Sequence, residues 1–178
     1  FKLDFAELEE RHNIMFVTYE EGKITIDEYL DHVVFYKHRD FNNYEFKEYM
    51  FSLSTPDPAM IDFISKLKKE HQLKIIAVSN EARELNAYRI HKFNLGEIFD
   101  FFISSCYVHI RKPDTAIFKL ALDTARVSAE EVVYIDDVKI FTDIDLGIKS
   151  IHHTDWQSTS EALADMGMLV GNNKLAHA

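Results

Sequence analysis

The sequence predicts an α/β protein: a parallel sheet with helices on both faces, preceded by a small helical unit. Three observations predict it. Beyond residue 58, short apolar runs of strand length alternate with stretches of helical periodicity, the order expected of strands joined by crossover helices. Before residue 54 the apolar residues follow helical spacing and no convincing strand occurs. The polar residues able to do chemistry follow apolar runs: Ser79-Asn80, then Lys112, then Asp136-Asp137. Open α/β sheets bind ligands in the crevice at such strand ends.

Residues 4–53 read as three helices. Phe5, Leu8, His12, Met15 and Phe16 fall at helical spacing, and Gly22-Lys23 breaks the pattern. Thr25 opens a second helix, with Glu28 three positions on to complete a capping box. Tyr29, Leu30, Val33, Val34 and Tyr36 form its apolar face, and Asn42 or Asn43 caps a third helix carrying Phe46, Met50 and Leu53. Ser54-Thr55-Pro56-Asp57-Pro58 marks a boundary, because each proline disfavours helix in the residue before it. Beyond it we expect helices over 59–70, 83–93, 114–125, 141–146 and 161–166, and strands over 73–78, 101–104, 132–135 and 149–152. Gly147 and Gly167 stand where the last two helices should stop. The expected division is a helical unit over 1–54 and an α/β unit over 55–178.

Apolar residues make up 47% of the 178, with 14 Phe and 8 Tyr to fill a core. A net charge of −10 argues against non-specific nucleic-acid binding. The single cysteine, Cys106, has no internal partner, which suits a reducing compartment. No apolar run is long enough to span a membrane, and no secretory leader opens the sequence.

The most informative stretch is Val133-Tyr134-Ile135-Asp136-Asp137, an apolar run ending in two adjacent carboxylates. Bare charges cannot lie inside a core, so the acids belong at the mouth of a crevice. Two neighbouring acids repel unless a cation shares them, and a hard divalent ion such as Mg²⁺ takes oxygen ligands. The plain alternative is a solvated loop with an aspartate cap. A hydroxyl, an ammonium and two carboxylates converging on one crevice suit a phosphoryl group beside Mg²⁺.

These residues resemble the haloacid dehalogenase (HAD) superfamily of hydrolases, mostly phosphatases. Val78-Ser79-Asn80 is similar to its second motif, Arg111-Lys112-Pro113-Asp114 to its third, and Tyr134-Ile135-Asp136-Asp137 to its fourth, in order and over residues 56–168. The first third resembles the family's helical cap, most clearly at 19–25. The resemblance implies a Rossmann-like three-layer core with that cap, and two-step hydrolysis of a small phosphorylated metabolite through an aspartyl-phosphate. It assigns Ser79 and Lys112 to catalysis, Ser79, Asn80 and Lys112 to phosphate binding, and Asp136 and Asp137 to Mg²⁺, with Asp136 a direct ligand. The cytoplasm and a monomer or homodimer are expected, with neither nucleic acid nor membrane as partner.

Two departures stand out. The family's first motif, a strand ending in the nucleophilic aspartate, has no counterpart; Asp4 lacks its companions. In the family that strand lies at the sheet centre, between those ending at Ser79 and Asp136. Without it, two half-sheets with bare inner edges are expected, and we infer a segment preceding Phe1. The second departure is Phe141, where many members carry Asn or Asp; Asp143 is the nearest substitute. His109 also replaces a common small residue.

Each assignment has a plainer counterpart. Ser79 suits a helix cap, Asn80 an exposed turn, Lys112 a solvated charge. Arg111 and Asp114 read as a loop ion pair and a cap. His152-His153 are badly placed to share one ion, and Cys106 reads as a small buried residue. A non-catalytic HAD-like binding or regulatory protein is the main competitor. A 2-haloacid dehalogenase, which needs no Mg²⁺, ranks below it. A phosphoacceptor receiver domain is set aside because its acids precede its lysine.

Overall fold

A computed structural model describes residues 1–170. Three helices come first: α1 (Phe5–Glu20), α2 (Ile26–Val33) and α3 (Asn43–Ser52). Asp4 caps α1 by accepting from the Glu7 amide. Thr25 and Glu28 form the expected capping box, and Asn42 with Glu45 forms another on α3. Leu30, Val33, Val34, Tyr19, Tyr29 and Phe46 build a core that Ala82, from the α/β unit, also joins. Tyr19 and Tyr29 stack there with centroids 4.3 Å apart.

Helix α4 (Pro58–His71) begins after Asp57, whose side chain accepts from the Ala59 and Met60 amides. Pro58 has no amide hydrogen to satisfy at that position. There follow β1 (Ile76–Ser79), α5 (Arg83–Lys92), β2 (Phe101–Ser104), the single turn α6 (Ser105–Val108) and α7 (Thr115–Ala125). The chain continues through β3 (Val133–Asp136), α8 (Lys139–Thr142), β4 (Lys149–His152) and α9 (Trp156–Asp165).

All strand pairs are parallel, but they form two sheets. β1 pairs with β2, Ile76 opposite Phe101 and Ser79 opposite Ser104. β3 pairs with β4, Val133 opposite Lys149 and Asp136 opposite His152. The alternation by itself suggested one continuous sheet; among the described residues the two half-sheets expected without the family's first strand are found instead. β1 and β3 each have one strand neighbour, which leaves each an edge that no strand pairs.

The two sheets nevertheless share a layer. Side chains alternate faces along β3. Val133 and Ile135 pack with Phe63 and Leu67 of α4, Leu163 of α9 and Ile151 of β4. Tyr134 packs on the other side with Ile117, Phe118 and Ala121 of α7, where Ile76 and Val78 of β1 also lie. Helices thus flank both faces, and side chains of both β1 and β3 pack in the α7 cluster.

Other boundaries moved for visible reasons. β1 starts three residues later than expected, because Ile75 bonds Asp100 through both its amide and its carbonyl before the ladder begins. The helix expected over 141–146 is replaced by the short α8, which starts two residues earlier and ends at Thr142. Ile144, Leu146 and Ile148 all pack into the α7 layer, alternating with exposed Asp145 and Gly147 along a segment that turns at Leu146, whose amide bonds the Ile144 carbonyl at 3.1 Å. Helix α9 starts five residues early, capped by Asp155, and buries Thr159.

The helical unit is bonded tightly to the α/β unit. Ser105 Oγ donates to the Glu20 carbonyl at 2.6 Å. Arg111 reaches the Glu20 carboxylate through Nε and Nη2, at 3.0 and 2.5 Å. His109 Nδ1 lies 2.6 Å from the Glu21 carbonyl. Gly22, at φ +66°, approaches so closely that a Cβ would sit 2.2 Å from the Cys106 carbonyl oxygen. Only glycine fits this seam, for both steric and dihedral reasons.

Candidate active site

Ser79 ends β1 and lies in register with Ser104, which ends β2. Ser79 Oγ donates to Ser104 Oγ at 3.3 Å, and Ser104 Oγ donates onward to Asn86 Oδ1 at 3.2 Å. The strand ends therefore carry a short hydroxyl chain anchored on α5.

Asn80 does not stand free. Its Oδ1 accepts from the Lys112 amide at 2.7 Å, and its Nδ2 donates to the Lys112 carbonyl at 2.9 Å. This two-point clamp fixes the Lys112 backbone to the end of β1. Its side chain therefore holds the residue that carries the charge, and its backbone is left for the phosphate contact expected from the sequence.

Lys112 is 7% exposed, far from a solvated surface lysine. Its ammonium lies 2.5 Å from Asp136 Oδ2 and 3.1 Å from the Tyr134 hydroxyl. The Phe141 ring centroid lies 5.0 Å from Nζ. Tyr134 donates its O–H to the same Asp136 oxygen. Asp136 Oδ1 accepts from the Val138 amide at 2.8 Å. Burial works to raise the Asp136 pKa, but bonds from Lys112, Tyr134 and Val138 outweigh it and hold the carboxyl below the ordinary range. Burial, then the bond to Asp136, pushes the Tyr134 phenol far up, so it stays a neutral donor.

The two neighbouring acids thus differ. Asp136 is neutralised within the chain. Asp137 is exposed, and among the described residues no group bonds its carboxylate; its backbone carbonyl lies 3.1 Å from His152 Nε2. His153 Nδ1 lies 2.7 Å from Thr159 Oγ1, so each member of the histidine pair has a hydrogen-bonding partner. Among the described residues no group of three or more His, Cys, Asp or Glu could hold a metal ion. A pair of carboxylates nevertheless fits Mg²⁺, which keeps several waters and takes one or two protein oxygens. Asp143 is exposed at the end of α8.

Arg111 forms its ion pair across the seam with Glu20, and Asp114 caps α7 through the Ala116 amide. Cys106 is fully buried, and burial pushes its thiol up to about 11. Sequence reading missed Tyr134, taken only as strand filling, and the contact of Phe141 with Lys112. The signal for Tyr134 was its place two residues before Asp136, on the same face of β3. The surface grooves lined by Ile61, Ser65, Phe93 and Ile98 share no residue with this cluster.

Residues 3–139 match the haloacid dehalogenase-like hydrolases, and the chain belongs to that family. Among curated proteins it is similar to bifunctional epoxide hydrolase 2 of Sus scrofa, 55% identical over 40 residues, which is 22% of this chain and 7% of that protein. It is also similar to the Rattus norvegicus enzyme of the same name, 34% identical over 83 residues, 44% of this chain and 15% of that protein. The alignments thus span only a small part of these relatives. A HAD family enzyme from Bacteroides thetaiotaomicron, solved with magnesium and inorganic phosphate, superposes with a TM-score of 0.69 at 20% identity, covering 88% of this chain and 91% of that one. A predicted HAD-like hydrolase from Porphyromonas gingivalis gives 0.71 at 17%, covering 92% and 90%. These structural likenesses establish a HAD-like fold. Among the described residues no helix is long and apolar enough to cross a membrane.

Proposed function

We propose that the chain is part of a Mg²⁺-dependent phosphatase that hydrolyses a small phosphorylated metabolite. The observation that carries this reading is the buried Lys112 ammonium, held by Asp136 and Tyr134 on β3 while Asn80 ties its backbone to the end of β1. Burying a lysine at strand ends is costly unless its charge is used or paired. Here it is paired on one side only by a strand-end acid.

In this reading a strand between β1 and β3 completes the sheet and carries the nucleophilic aspartate. The unpaired edges of β1 and β3 and the half-sheet arrangement support it. A carboxylate oxygen of that aspartate attacks phosphorus, the ester P–O bond breaks, and the leaving alkoxide takes a proton from solvent water. Water then attacks the aspartyl-phosphate, releasing phosphate and restoring the carboxylate. Ser79 donates to a phosphoryl oxygen by turning its hydroxyl away from Ser104. Lys112 offsets the phosphoryl charge, and Asn80 holds Lys112 in place. Asp136 and Asp137 would hold Mg²⁺, Asp137 through an exposed carboxylate and Asp136 while also holding Lys112. When bound, Mg²⁺ supplies charge neutralisation at the phosphoryl oxygens. The helical unit over residues 1–54 serves as the cap that selects the leaving group. Magnesium and phosphate in the Bacteroides enzyme's structure support the same chemistry. We place the protein in the cytoplasm, as a monomer or homodimer.

One observation favours a second reading, a non-catalytic binding protein: an aromatic residue, Phe141, lies against Lys112 where a polar residue is common. Phosphate release from a panel of phosphomonoesters by the full natural protein, with Mg²⁺ and with chelator, decides between them. We expect Mg²⁺-dependent release that Lys112→Ala abolishes. No release from any ester, with intact folding and Mg²⁺ present, would leave the binding reading standing. Chloride or fluoride release from a 2-haloacid without Mg²⁺ would point to the dehalogenase.

A further inference from the structure

We propose that Tyr134 is a positioning residue that fixes the direction of the Lys112 ammonium. An ammonium has three N–H donors and no acceptor. One is directed to Asp136 Oδ2 at 2.5 Å and a second to the Tyr134 hydroxyl at 3.1 Å. The same hydroxyl donates its own hydrogen to Asp136 Oδ2. Lysine, phenol and carboxylate thereby close a three-membered ring of hydrogen bonds. A single ion pair would leave the ammonium free to rotate about the Asp136 contact. The second contact removes that freedom and leaves one N–H with a set direction.

The phenol is itself held firmly. Tyr134 and Asp136 are two apart on β3 and share a face, so the strand sets their spacing. The Tyr134 ring packs edge-on against Phe118, centroids 5.1 Å apart at 87°. Phe118 is 3% exposed and part of the α7 layer. Asn80 fixes the Lys112 backbone from the other sheet. The ammonium is therefore located from both sides, by β1 through its backbone and by β3 through its tip. The inference rests on the phosphatase reading only for what the remaining N–H meets, a phosphoryl oxygen.

Tyr134→Phe removes the hydroxyl and keeps the ring against Phe118. The first measurement needs no activity. Lys112 acylation by acetic anhydride is followed by peptide mass spectrometry in the full natural protein, wild type against Y134F, at matched thermal stability. We expect Lys112 to label about fivefold faster in Y134F, as one of two tip contacts is lost. Equal labelling rates would overturn the proposal. The second measurement is steady-state phosphatase kinetics: kcat should fall about tenfold, the value of one hydrogen bond to a charged group, with KM within about twofold. A kcat equal to wild type, or a fall accompanied by an equal rise in KM, would also overturn it. Phe118→Leu, which loosens the ring and keeps the hydroxyl, separates packing from the hydrogen bond: it should lower thermal stability more than kcat. If wild type releases no phosphate, the phosphatase reading falls, and the labelling result alone still decides the role of Tyr134.

Discussion

Asn80→Ala tests whether the Lys112 loop is held by one side chain. The substitution deletes two hydrogen bonds, 2.7 Å from the Lys112 amide and 2.9 Å to its carbonyl. Lys112 is 7% exposed, so water has little access to replace them. A net loss of about 1 kcal/mol per bond, plus part of the cost of an unsatisfied buried amide, gives about 2–3 kcal/mol. For a protein of this size that lowers the melting temperature by roughly 5–10 °C. Asn80→Asp keeps the acceptor for the amide and loses the donor to the carbonyl, so about half the loss is expected. Scanning calorimetry on the full natural protein reads both variants. If Asn80→Ala melts within about 1 °C of wild type, the clamp carries no energy and the argument for a fixed Lys112 fails.

Two further outcomes are expected. A double-mutant cycle on Arg111→Ala and Glu20→Ala should give a coupling of about 1–2 kcal/mol in chemical denaturation, because both side chains are mostly buried and two guanidinium nitrogens reach one oxygen; a coupling below about 0.3 kcal/mol would mean the helical unit is not held through this pair. Burial raises the Glu81 pKa despite the nearby Arg89, so its contribution to stability is fully present below the ordinary glutamate value and is lost as pH rises through the higher folded value. Glu81→Gln should therefore gain stability relative to wild type as pH rises above the ordinary glutamate value, and a difference that is flat with pH in urea melts would refute the shift.

Much of the local structure was legible because its causes are local. Thr25 with Glu28, the choice of Asn at the third helix, and the strands at 101–104 and 149–152 follow from capping chemistry and short apolar runs. The misplaced helix near 141 shows where that reasoning stops. Phe141 to Leu146 looks helical in isolation, while Ile144, Leu146 and Ile148 alternate, and burial against α7 favoured the alternation. At α9, Gln157-Ser158-Thr159-Ser160 has weak helix propensity, and the Asp155 cap and burial of Thr159 override it.

The amino-acid order alone determined the class of fold, the family and the residue types of the site, because strand-end placement and motif order are one-dimensional facts. Only the tertiary structure decided how those residues contact one another. Asp136 and Asp137 are indistinguishable as neighbours in the sequence. Alternation along β3 turns the first toward Lys112 and Tyr134, and the strand's end leaves the second in solvent. Asn80 and Lys112, 32 positions apart, meet because β1 and β2 run in parallel register and carry their following loops to the same end. The two half-sheets were already implied by the absent first motif; what the tertiary structure added is the pairing itself, β1 with β2 and β3 with β4 in parallel register.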